Sequence, residues 1–237
     1  SKFSEEYQLA LADLSQRSIE RREKHLGENI IDFKDIQVKE SYVKILEENG
    51  VEIIWRLKWM NAVSCYLTLD QSNKIKKLGF VKKVELVKSI KFDRGEIKNS
   101  SLLKSSNDNK SSFSLDYGSS YTQNNLSDIP LVHDIGFSGQ NILVGLLDAG
   151  FAWRNHPSLS SANVIAERDF VYGDEDTDYG DASHGTAVFS IIGGFDEGWL
   201  IGPAYNAEFV LAKTEDIGSE THVEEDNFAA ALEWMDS

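Results

Sequence analysis

The run Asn141–Asp148 (NILVGLLD) is apolar or glycine from Ile142 to Leu147 and ends on a carboxylate. A stretch with no polar alternation reads as a strand covered on both faces, and such strands belong to parallel sheets flanked by helices. The next segments keep that rhythm. Ser183–Gly194 (SHGTAVFSIIGG) reads as a buried helix and Ala207–Thr214 (AEFVLAKT) as a second strand. Val223–Asp236 reads as a helix whose first turn carries acids, where they suit the helix dipole. The expected fold is α/β, a doubly wound parallel sheet. With two convincing central strands the sheet is partial, and the next strand is expected beyond Ser237. Unpaired edges predict a second half that is poorly stable alone or relies on a partner.

An independent pattern precedes it. Lys39–Gly50 reads as a helix with Tyr42, Val43 and Leu46 at helical spacing and Gly50 as its stop. Val51–Leu57 and Asn61–Asp70 read as strands, the second alternating through Val63, Cys65, Leu67 and Leu69. Gln71–Gly79 is a short helix and Phe80–Val87 a third strand. Helix, two strands, helix, strand is a ferredoxin-like α+β order lacking its first strand, which is placed upstream of Ser1. The helical pattern Glu5–Lys24 either covers part of this small sheet or merely precedes it. Between the two patterns, Lys98–Ser120 is rich in Ser and Asn and reads as an exposed, cleavable linker. The domains are therefore 1–97, a linker at 98–120, and 121–237.

Charge divides at the same place. Up to Lys110 there are 21 Lys and Arg against 17 Asp and Glu, and after it 3 against 22. Nucleic acid is excluded as a partner of the acidic half, which would repel phosphates. The two halves could instead attract one another, or the acid could serve solubility alone. No apolar run reaches the roughly 20 residues of a membrane helix, no leader follows Ser1, and the single cysteine, Cys65, allows no internal disulfide.

Two residues carry chemistry. Asp148 ends its strand at the carboxyl edge, where open α/β sheets place their sites, although a turn-forming aspartate is the plainer reading of that strand alone. His184 opens a helix, 36 positions later, with Ser183 available as N-cap and slim neighbours in Gly185 and Thr186. His25, His133, His156 and His222 have no partner motif beside them and read as surface or cap residues.

At LVGLLDAGF, HGTAVFSIIGG and IGPAYNAEFVLAKTED the chain resembles the subtilisin-like serine peptidases (subtilases), in that family's order of aspartate before histidine. EEDNFAAALEWMDS is similar to the next helix of bacterial, extracytoplasmic members. SQRSIERR, LKWMNAVSCYLTL and KKLGFVKKVELV are similar to the family's inhibitor-type propeptide. The resemblance implies that 1–97 is a propeptide and 121–237 the N-terminal part of the catalytic domain. It implies a secreted serine endopeptidase made as a zymogen, whose propeptide assists folding and blocks the cleft until the linker is cut. Asp148 would orient the imidazole and His184 would act as general base and then acid. The family's catalytic serine block and oxyanion asparagine have no counterpart before Ser237. Ser183, Ser190, Ser237, Asn206 and Asn227 stand in other contexts, so the chain alone should be inactive.

The chemistry needs no cofactor. Subtilases often bind calcium, and Asp174, Asp176 and Asp178 are the candidate ligands for a structural ion, against a solvated acidic loop. Two rivals stay open. One is a non-catalytic, protease-like binding or inhibitory protein. The other is a nucleotide- or metal-binding α/β domain, for which IGFSGQN is a poor phosphate loop because it precedes its strand.

Overall fold

The computed structural model describes residues 4–87, 113–178, 182–216, 218 and 222–237. Most of the expected linker lies outside them. In chain order the elements are α1 (Glu5–Ala12), α2 (Gln16–Leu26), α3 (Glu40–Glu48), β1 (Glu52–Leu57), β2 (Ala62–Tyr66) and α4 (Leu69–Ile75). There follow α5 (Tyr121–Asn125), α6 (Ile129–Asp134), β3 (Leu143–Asp148), β4 (Asn163–Asp169) and α7 (Ser183–Gly193). The last are β5 (Phe195–Asp196), β6 (Leu200–Ile201), β7 (Glu208–Lys213) and α8 (Val223–Asp236). They form two compact units, and α8 belongs to the unit built by the residues up to Val87.

In that first unit β1 and β2 form an antiparallel hairpin. Leu46 of α3, Val51 and Ile75 of α4 are the buried centre on one side, with Ile53, Val63, Cys65 and Leu67 packed on it. The helical pattern Glu5–Lys24 resolves into two helices, because the Ser15 hydroxyl accepts the Ser18 N–H at 3.2 Å and starts α2 afresh. Phe80–Val87, expected as a strand, joins no ladder. Its apolar residues do not alternate. It docks by side chains instead, through Phe80, Val81 and Val84, with Phe80 stacked 4.2 Å from Tyr42.

Helix α8 meets the hairpin through polar contacts. Trp55 Nε1 donates to Asn227 Oδ1 at 2.8 Å, and Ser64 Oγ bonds the Asp226 carboxylate. The Lys58 and Trp59 N–H groups donate to the two oxygens of Glu233 at 2.9 and 3.0 Å. Between these contacts the buried residues of α8 are Ala230 and Ala231, small enough for close approach.

The second unit is a parallel sheet in the order β3–β7–β4. The sequence pattern shows two of these strands and misses β4. Asn163, Glu167 and Arg168 interrupt its apolar run, and its register shifts between Val164 and Ala166. Phe209, Leu211 and Ala207 of the central strand region, Leu146 of β3 and Phe189 of α7 form the core with Phe151 and Leu159. Gly193 lets α7 approach closely, since a Cβ there would lie 2.3 Å from the Phe209 ring.

Candidate active site

The three parallel strands end level with one another, as Asp148 and Asp169 both register with Lys213. Lys213 is buried and its Nζ donates to the fully buried Asp169 Oδ2 at 3.1 Å, so that carboxylate is committed inside the edge. Asp148 points to α7. Its Oδ1 accepts the Ala149 N–H at 2.8 Å and its Oδ2 lies 2.8 Å from His184 Nδ1. An ionised carboxylate only accepts, so Nδ1 carries a proton, and in the neutral ring Nε2 keeps its lone pair. The Asp148 side chain is 9% exposed and that of His184 is 71% exposed. A fixed acceptor therefore holds a ring whose other nitrogen is open to solvent.

The backbone around the pair is tied from both sides. Thr186 Oγ1 donates to the Ala182 carbonyl at 2.6 Å and accepts the Ala152 N–H at 2.8 Å. Phe151 N–H donates to Thr177 O at 2.7 Å. Gly150, at φ +130°, adopts a conformation that a side chain would resist. Gly185 has no room for a Cβ, which would sit 2.3 Å from Gly150 O and 2.9 Å from Asp148 Cβ. Ser183 does not cap the helix as expected: it is the first helical residue, and Ala182 holds the cap position without a side-chain bond. A cleft of about 350 Å³ lies between Ala152 and His156 on one side and Ser183, Ala187 and Ser190 of α7 on the other. Ser190 Oγ is turned to Ala187 O at 2.9 Å.

The acidic candidates do not converge. Asp176 and Asp178 face Arg154, at 2.8 and 3.4 Å, and Arg154 also pairs with Glu167. Asp174 Oδ1 accepts the Asp176 N–H at 3.0 Å. The Asp178 N–H and then Arg154 hold the Asp176 carboxyl below its ordinary value. Among the described residues no group of three or more His, Cys, Asp or Glu side chains is arranged to hold a metal ion.

His133, expected at the surface, is buried. Its Nδ1 lies 2.6 Å from the Tyr117 hydroxyl and its Nε2 3.0 Å from Pro203 O. Burial pushes the Tyr117 phenol up to about 12, so it stays neutral and donates. This knot fastens the segment from Phe113 to Asp134 to the sheet unit, and nothing near His133 in sequence announces it. Lys213 and Asp169 are likewise supports that the sequence pattern does not single out, and Thr186, read there only as a slim neighbour of His184, is a third. The lysine at the end of an apolar strand is the one available signal.

Residues 2–105 match the peptidase S8 propeptide domain of Bacteroidota, and residues 139–236 match the subtilase family. No curated protein matches the chain. Among solved structures, the complex of the Aeromonas sobria serine protease with its chaperone is similar at 29% identity and a TM-score of 0.37. That likeness covers 44% of this chain and 18% of the solved one.

Proposed function

We propose, for a chain that belongs to the subtilase family and carries a peptidase S8 propeptide domain, that Asp148 and His184 are the orienting acid and general base of a secreted serine endopeptidase. The observation that carries this reading is the 2.8 Å bond between Asp148 and His184 Nδ1, with Nε2 left to solvent. A serine hydroxyl supplied by the whole protein would lose its proton to Nε2 as its oxygen attacks the peptide carbonyl. The imidazolium so formed is stabilised by the Asp148 carboxylate, which keeps its charge. His184 then returns the proton to the leaving amine, and a water repeats the cycle to release the acyl group.

Residues 1–97 are proposed as the inhibitory and folding-assisting propeptide. In support, α8 falls within the subtilase match yet packs on the propeptide hairpin, with Glu233 receiving two hairpin N–H groups. The basic character up to Lys110 and the acidic character beyond it favour the same docking. Among the described residues no helix is long and apolar enough to cross a membrane. Calcium at Asp174, Asp176 or Asp178 remains a proposal that the Arg154 pairing weighs against.

The test uses the whole protein after removal of its propeptide, treated with a fluorophosphonate probe. Covalent labelling and peptidase activity are expected, and His184→Ala should abolish labelling while leaving the fold intact. Asp148→Asn should lower kcat by roughly 10⁴-fold, since the histidine would then be held in the wrong tautomer. Labelling that survives His184→Ala undiminished would overturn the assignment.

A further inference from the structure

Helix α8 carries no basic residue: its first turn holds Glu224, Glu225 and Asp226, and Glu233 and Asp236 follow. The groups that meet Asp236 come from α2, more than 200 residues away in sequence. Ser18 Oγ donates to Asp236 O at 3.0 Å, and the Ser15 N–H donates to Ser237 O at 3.0 Å. Arg21 Nη2 lies 2.5 Å from Asp236 Oδ1, and Arg22 Nη2 pairs with Asp236 Oδ2.

Arg22 makes this more than a surface pairing. Its side chain is only 10% exposed, and its other nitrogen bonds Asp35 Oδ1 at 2.7 Å and Ile30 O at 3.0 Å. A guanidinium so buried needs carboxylates around it, and one of its two comes from α8. Asp35 is in turn fixed by accepting the Asp32 N–H at 2.8 Å. The cationic site is thus built within the first 35 residues and completed from outside them.

We infer that α2 and its N-cap, through Ser15, Ser18, Arg21 and Arg22, form a second docking surface of the propeptide, beside the hairpin, which recognises the acidic segment at Asp236 on its own catalytic domain. This rests on the reading of residues 1–97 as propeptide and α8 as part of the protease. The hairpin grips α8 from Asp226 to Glu233 and touches Ser237 through Lys58 Nζ at 3.1 Å, while the Asp236 carboxylate is held by α2. A catalytic domain with lysine at position 236 would be rejected, because a second cation would face the buried Arg22.

The test is hydrogen exchange, followed by mass spectrometry, on the 237-residue chain. Asp236→Asn should speed exchange of peptides covering 229–237 by roughly tenfold, and Asp236→Lys by more. Arg21→Ala, at the more exposed arginine, should give about threefold, and its combination with Asp236→Asn should add nothing beyond Asp236→Asn alone. Peptides covering 51–66 should keep wild-type protection in every variant, showing that the unit stays folded. Unchanged protection of 229–237 in Asp236→Asn and Asp236→Lys, with loss in Glu233→Gln, would overturn the second surface and leave hairpin docking standing. Exchange of 223–237 at the unstructured rate in the wild-type chain would overturn the docking reading and the second surface with it.

Discussion

Gly185 shows how little freedom the Asp148–His184 pair has. A methyl group at that position would collide with the Gly150 carbonyl and the Asp148 side chain, both of them fixed. Gly185→Ala should therefore push the start of α7 away from β3 and lengthen the bond that orients the imidazole. A loss of at least 10²-fold in kcat with little change in KM is expected in steady-state assays of the mature protein. An unaltered kcat would mean that α7 can shift without cost. Tyr117→Phe acts elsewhere: it leaves the buried His133 Nδ1 without its donor, so thermal unfolding should show about 1–3 kcal/mol of lost stability. At this scale Asp148 and His184 are legible because each sits at an element end, in a local motif. Their bond is not, because contact across 36 positions depends on strand register. The Lys213–Asp169 pair and the burial of His133 are hidden for the same reason: their partners come from other elements.

The elements divide between those specified by their own periodicity and those specified by neighbours. Strands β3 and β7 have interiors uninterrupted by polar side chains, Leu143–Leu147 and Phe209–Ala212, and can be read directly. Strand β4 carries Glu167 and Arg168 at the sheet margin, and only pairing with β7 makes it a strand. Helix α8 is legible as a helix, but not the surface it covers. That surface has a pH signature. Burial raises the Asp226 carboxyl above its ordinary value, partly opposed by the Ser64 hydroxyl and assisted by Glu225. A raised carboxyl pKa means the docked helix favours the protonated form. Asp226 therefore costs the unit nothing below its ordinary value near 3.8, and the cost grows as pH rises through its raised value. Asp226→Asn keeps an acceptor for Ser64 and removes the charge. Its stability relative to wild type, measured by urea unfolding from pH 3 to pH 7, should rise with pH and then level off. A difference that is flat across that range would contradict the assignment.

At the scale of the molecule, chain order and compact units disagree. The unit formed by the residues up to Val87 is completed by α8, while everything from Phe113 to Gly218 lies in the other. Cutting the backbone within 98–110 should therefore leave two pieces that elute together from a sizing column, because α8 is joined to one piece and packed in the other. Elevated salt and Asp236→Asn should loosen the association, and clean separation in native buffer would count against it. The sequence carries the existence of two patterns and the charge step between them. It does not carry this interleaving, since no local signal says that the last helix belongs with the first hairpin.

The interleaving also sets a clock. A ribosome adds about 5–20 residues per second, so roughly 10–30 s separate the emergence of β2 from that of Asp236. Throughout that interval the α8-facing side of the hairpin and the Arg22 site stand open. The unit that opens the chain thus stays half-finished until α8 has been made, a delay in which a holding factor or an export machine would find it still unclosed.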